Sequence, residues 1–179
     1  MQIIQHHPVI EQLFSHWREP LGKDFTAYRN HVYRVLNHCN ALRPLNPREL
    51  DQVAIAAAFH DVGIWLDHTF DYLAPSVRHA NNYLVREGKS HWIEAVRGMI
   101  EQHHKITTYH GPHADLVDLF RQADWIDVSM GAMRFGLSFN AVRLIRKALP
   151  YAGFHWRLVE LSAAHITRHP LRPLPMFRW

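Results

Sequence analysis

Apolar positions in this chain recur at spacings of three and four, from the first residues to about residue 168, which is the period of a helix with one buried face. Pro8 to Arg18 predicts a first helix. Asp24 is placed to cap a second, running to about Leu42, whose stripe is Phe25, Tyr28, Val32, Val35, Leu36 and Cys39. "NPRE" at 46–49 supplies an Asn cap, a Pro at the first helical position and a Glu three residues after the cap. It opens a third helix carrying Leu50, Val53, Ala54, Ala57 and Phe59 towards "HD" at 60–61, with Gly63 as a stop signal. Residues 64–74 read as a connector with aromatic anchors. Pro75 opens a fourth helix that stops near Gly88, Ser90 caps a fifth through His104, and Asp115 caps a sixth to about Met130. "YHGPH" at 109–113 is a loop. Amphipathic segments follow at 140–149 and 154–168, and the tail "PLRPLPMFRW" holds too much proline for a helix. No strand alternation, internal repeat or low-complexity linker interrupts the pattern. The prediction is an all-α, single-domain bundle of about seven to eight helices spanning residues 1–179.

Composition narrows this picture. The chain has 179 residues, enough for one domain with a real core, and is 47% apolar and 20% charged. Its single cysteine, Cys39, allows no intrachain disulfide and no cysteine zinc cluster, which fits a reducing compartment. No apolar run approaches the roughly 20 residues of a membrane span, and "MQIIQHHPVI" lacks the features of a signal peptide. A cytoplasmic protein is expected, with no membrane among its partners. The formal charge of +4 suits an anionic ligand without requiring one. A basic C-terminal set, Arg134, Arg143, Arg146, Lys147, Arg157 and Arg168, has no nucleic-acid motif beside it, so nucleic acid is an improbable partner. Sixteen histidines are the compositional oddity.

The histidines matter where they meet carboxylates. "AAAFHDVGIW" at 56–65 sets His60 and Asp61 at the end of an almost wholly apolar stretch, where an unpaired carboxylate is very costly. His31 lies at the edge of the second helix's stripe, one turn from Tyr28 and Val35. Trp92, Val96, Met99 and His103 share one face of the fifth helix, which turns His103 inward and His104 to the flank. Asp124 and Asp127 both lie on the sixth helix, and periodicity alone puts Asp127 nearer the apolar centre formed by Leu116, Phe120 and Ala123. Several inward-facing imidazoles and carboxylates from different helices need a shared partner. A divalent cation satisfies them together.

The order of "YRNHVYRV", "AAAFHDVGIW", "IEQHHK" and "RQADWID" resembles the HD-domain superfamily of metal-dependent phosphohydrolases. The likeness covers roughly residues 24–130 and leaves 131–179 as a C-terminal helical extension. It implies a helical bundle in which His31, His60, Asp61 and Asp124 hold a metal. Only this resemblance, not the periodicity, selects Asp124 over Asp127, which then stands behind a ligand. It also implies hydrolysis of a nucleotide or related small phosphate ester, with Asp61, His103 and His104 catalytic. Lys105 is a candidate phosphate ligand and Arg34 a weaker one. Mn, Mg, Co, Ni, Zn or Fe would serve as the metal, and a homo-oligomer stays open.

The chain departs from the family in two places. Many members carry a further His on the next helix, completing a second metal site. Register puts Ser76 there, with His79 on the polar face, so one metal is expected. Where some nucleotidases of the superfamily carry a Glu, three residues past the His-Asp pair, this chain has Ile64, leaving Asp67 or a histidine to substitute. Two alternatives stand beside the hydrolase: a diiron oxygenase on the same scaffold, resembling myo-inositol oxygenase, and a non-catalytic nucleotide-binding sensor. His165 and His169 have the spacing of a metal pair but no third ligand nearby, and read as a solvated helix end.

Overall fold

The computed structural model describes residues 2–168, apart from the side chains of residues 164, 165 and 168. The His165–His169 pair and the proline-rich tail fall outside the described residues. The chain forms α1 (Pro8–His16), α2 (Arg18–Leu21), α3 (Phe25–Leu42), α4 (Pro47–Phe59), α5 (Gly63–Leu66), α6 (Leu73–Arg86), α7 (Ile93–Gln102), α8 (Ala114–Val128), α9 (Phe139–Ala148) and α10 (Phe154–Arg168). Eight of these are full helices and two, α2 and α5, are single turns. There is no strand among the described residues, so the fold is the expected all-helical bundle. No described helix is long and apolar enough to cross a membrane.

Local signals set several boundaries as read. Asn46 Oδ1 accepts from the Glu49 N–H at 2.9 Å while Glu49 Oε2 accepts from the Asn46 N–H at 3.0 Å, a complete capping box at the start of α4. Other signals were overridden. Asp24 makes no cap for α3, because its own backbone is already helical as the last residue of a 3-10 turn. Its carboxylate instead accepts from Trp65 Nε1 at 2.9 Å and Arg157 Nε at 2.8 Å. Pro75 is the third residue of α6 rather than its first, a first-turn position where a missing N–H costs nothing. Ser90 opens a 3-10 turn that hands over to α7, and His113, with φ 56°, precedes α8 in place of Asp115. Gly63 ends no helix. It lies within α5, and a Cβ there would sit 2.8 Å from Tyr72 O and 3.0 Å from Pro75 Cβ.

The main apolar core extends from Ile10 to Phe154, and Ile126, Leu137 and Val142 form a second, smaller cluster. At its centre is α3, which packs against α4, α8 and α9, while α7 packs against α4, α6 and α8. Because α3 is covered on nearly every side, its polar residues Asn30, His31, Arg34, Asn37 and His38 are buried along with its apolar stripe. Each buried polar group needs a partner. Asn30 Nδ2 donates to Pro150 O at 2.8 Å, and Asn37 exchanges bonds with the Ile4 backbone at 2.8 Å each way. The C-terminal extension therefore reaches into the core at residues 149–155 and supplies carbonyls to α3.

Candidate metal centre

Four predicted residues converge between α3, α4 and α8. His31 comes from α3, His60 and Asp61 from the end of α4, and Asp124 from α8. His31 Nε2 lies 3.0 Å from His60 Nε2, 3.5 Å from Asp124 Oδ1 and 3.9 Å from Asp61 Oδ2. His60 Nε2 lies 3.3 Å from Asp61 Oδ2 and 3.7 Å from Asp124 Oδ1. His103, in the turn after α7, joins from the other side, its Nε2 at 3.5 Å from Asp61 Oδ1. All five are buried.

The hydrogen bonds behind the rings fix what the front atoms are. His60 Nδ1 sits 2.8 Å from Ala57 O and His103 Nδ1 sits 2.7 Å from Ile100 O. A carbonyl only accepts, so each Nδ1 carries a proton, which leaves Nε2 as the ring atom that can turn a lone pair to the cluster. His31 Nδ1 faces the Asp127 carboxylate at 2.6 Å with the same consequence. Two lone pairs 3.0 Å apart, on His31 and His60, repel unless a cation or proton stands between them. Burial lowers the His31 pKa to about 4, against the opposing pull of Asp127, so the His31 ring resists taking that proton.

The carboxylates tell the same story. Asp61 Oδ1, Asp124 Oδ1 and His103 Nε2 are buried without a hydrogen-bond partner among the described residues. Burial raises the Asp124 carboxyl to about pH 8, with Asp61 and Asp127 adding to the rise against His103. For Asp61, burial works against the charge, but positive charge on the His60–His103 side, which a bound cation would equally supply, prevails and holds its pKa well below the usual range. Orphaned acceptors, bare imidazole nitrogens and two crowded carboxylates fit a divalent cation. The donors form two groups, His31–His60–Asp61 and Asp61–His103–His104, that share Asp61. The one-metal reading uses the first group together with Asp124, which belongs to neither group but has its Oδ1 3.5 Å from His31 Nε2, and the geometry also provides the second.

Asp127 does not face the cluster. It stands behind His31, where it accepts Arg34 Nε at 2.6 Å and Arg34 Nη2 at 2.9 Å, with His38 Nε2 3.8 Å away. Burial opposes its charge, but the Arg34 guanidinium, with His31 and His38, holds its carboxyl well below the usual range. This corrects the reading of Arg34 as a phosphate ligand. Arg34 is fully buried, its Nη1 donates to Leu149 O at 3.2 Å and Pro150 O at 3.1 Å, and it has no access to a substrate. Periodicity favoured Asp127 because α8 turns that residue squarely to α3, where a buried cation awaits it. Behind this pair, Phe154 stacks on the His31 ring at 4.0 Å and 16°.

The remaining candidates separate. His104 lies beside His103 with ring centroids 3.8 Å apart, and its Nε2 meets the Tyr72 hydroxyl at 2.5 Å. Lys105 is half-buried next to it, and its backbone carbonyl accepts from Trp125 Nε1 at 3.2 Å. His79 Nε2 is bonded to Asp67 Oδ2 at 2.6 Å, and Arg78 pairs with the same carboxylate, so neither His79 nor Asp67 belongs to the donor groups. Ser76 Oγ accepts from the Gly63 N–H at 3.1 Å and is likewise absent from them. Tyr72, Phe154 and His38 were not foreseen. Tyr72 lies in an aperiodic connector and Phe154 is more than a hundred residues from His31, so neither leaves a local signal. His38 has one, being seven residues and two helical turns past His31. No protein-family model, no curated protein and no solved structure matches this chain.

Proposed function

We propose that this protein is a metal-dependent phosphohydrolase of the HD-domain type, acting on a nucleotide or a related small phosphate ester. The observation that carries the reading is the convergence of the bare Nε2 atoms of His31 and His60 on Asp61 and Asp124 in a buried cluster. Those four residues would hold a divalent cation, with Asp127 fixing the His31 tautomer from behind. Bound there, the cation supplies Lewis acidity, activating water and drawing charge from a phosphoryl oxygen. The protein's own residues do the rest. Ala57 and Ile100 carbonyls lock the His60 and His103 rings, so nothing has to reorient on substrate arrival. Asp61, 5% exposed, and half-buried His104 mark the side from which a substrate reaches the cluster. His104, its ring oriented by the Tyr72 hydroxyl, would give a proton to the leaving oxygen once substrate charge offsets the burial that lowers its pKa. Lys105, next in the chain, offers a cation to the phosphate.

The test is metal analysis of the purified protein, followed by a phosphate-release screen over nucleotides and phosphodiesters. Stoichiometric divalent metal and turnover on at least one ester are expected. Asp61→Ala should lose most of both while the protein stays folded. If that variant keeps full metal content and rate, the proposal is wrong. The Asp61–His103–His104 group favours one second reading, a diiron oxygenase in which that group would hold a second iron. Iron as the resident metal, with oxygen consumption and no phosphate release, would select it.

A further inference from the structure

The charge of this chain is split unevenly along its length. Residues 128–179 contain eight Lys and Arg against a single acid, Glu160, whereas residues 1–127 contain twelve against fifteen. Glu160 is already engaged with Arg157, which also pairs with Asp24. Arg134, Arg143, Arg146 and Lys147 are all exposed, and none forms an ion pair among the described residues. Large apolar side chains lie open in the same stretch. Phe139 is 63% exposed, Leu144 49% and Trp156 75%, with Met133 and Phe135 exposed in the loop that leads into α9. On α9, Val142 and Ile145 face the core. Phe139, Arg143, Arg146 and Lys147 fall within about a 100° arc on the other side, bordered by Leu144.

We infer that the loop at 133–138 and the outer face of α9 form a peripheral docking surface for an anionic lipid bilayer. Exposed apolar side chains interleaved with unpaired cations are what an interfacial helix presents, with Phe and Leu entering the acyl boundary and Arg and Lys reaching the headgroups. A second copy of the chain is disfavoured, since matching surfaces would bring like charges together with no acid to offset them. Nucleic acid would leave the aliphatic members of the patch, Leu144 and Met133, in water. The sequence reading excluded a membrane because no segment spans one. A surface that lies on the bilayer needs no spanning segment, and such docking is independent of the chemistry at the metal centre.

Cosedimentation with vesicles tests it. The full chain should pellet with phosphatidylglycerol-containing vesicles, not with pure phosphatidylcholine, and raising salt from about 0.1 M to about 1 M should release it. Partitioning should fall about fivefold for each cation removed, so the double variant Arg143→Glu, Lys147→Glu should lose nearly all binding. Phe139→Ser with Leu144→Ser should also weaken it, with metal content and helicity unchanged in both. The inference fails if the protein ignores anionic vesicles, binds neutral ones equally well, or is unaffected by these exposed substitutions. It fails too if a single-stranded oligonucleotide competes the protein off the vesicles, or if Phe139→Ser with Leu144→Ser dissolves a dimer without changing vesicle binding.

Discussion

Replacing Asp127 by Asn keeps the side chain's shape and removes its charge. The guanidinium of Arg34 then remains fully buried with carbonyls, an amide oxygen and the Tyr151 ring around it and no anion. Breaking a buried ion pair from one side costs about 3–5 kcal/mol, because the other charge is left uncompensated. Set against a typical total of about 5–15 kcal/mol, the variant folds but with a much reduced margin. A second effect is separable. The His31 Nδ1–H loses its carboxylate, and loss of such a support lowers metal affinity about 10–100-fold. Urea unfolding in chelator measures the first effect, and metal titration of the folded variant the second. Arg34→Met supplies the control, since the double variant Asp127→Asn, Arg34→Met removes both charges and should be more stable than Asp127→Asn alone. A loss below about 1 kcal/mol, the range of exposed pairs, would refute the buried-pair argument. So would a double variant whose loss equals the sum of the two single losses. The acid response follows in sign. A carboxyl held below its ordinary value of 3.8 stabilises the fold above that pH, and the contribution is lost as pH falls through the lower folded value.

Three further outcomes are expected. Asp124, raised from 3.8 to about 8 in the folded protein, makes the metal-free fold lose stability as pH rises between those values; added divalent metal should remove that loss, and thermal unfolding across the range, with and without metal, checks it. Gly63→Ala places a methyl 2.8 Å from the Tyr72 carbonyl and 3.1 Å from Ser76 Oγ, so a cost of about 1–3 kcal/mol is expected in denaturant unfolding, and a neutral result would show that the α5–α6 contact yields easily. His79→Ala should leave metal stoichiometry unchanged, because His79 is tied to Asp67 outside both donor groups, whereas His103→Ala should empty any second site; metal analysis of the two variants decides between one ion and two.

What depends on neighbours along the chain is legible in the order of residues alone. Helical periodicity placed the eight full helices, the "NPRE" box set the start of α4, and the apolar approach to His60-Asp61 marked a carboxylate that needs compensation. The tertiary structure decided everything that depends on which helix faces which. A stripe names one inward face, but α3 is covered nearly all round, so Arg34 at its margin became a buried cation rather than a solvated one. That burial in turn drew Asp127 behind His31 and left Asp124 facing the cluster; periodicity put Asp127 nearer the centre but could not say what it meets there. Asp24 carried a cap signature yet went to Trp65 and Arg157, and Gly63 resembled a stop yet serves a close approach of α5 to α6. Phe154 and Tyr72 reach the centre from segments distant in sequence. Local pattern records the preference of a residue for being inside or outside. It does not record the partner, because the energy of a buried charge is set by the groups that tertiary packing brings within a few ångströms of it.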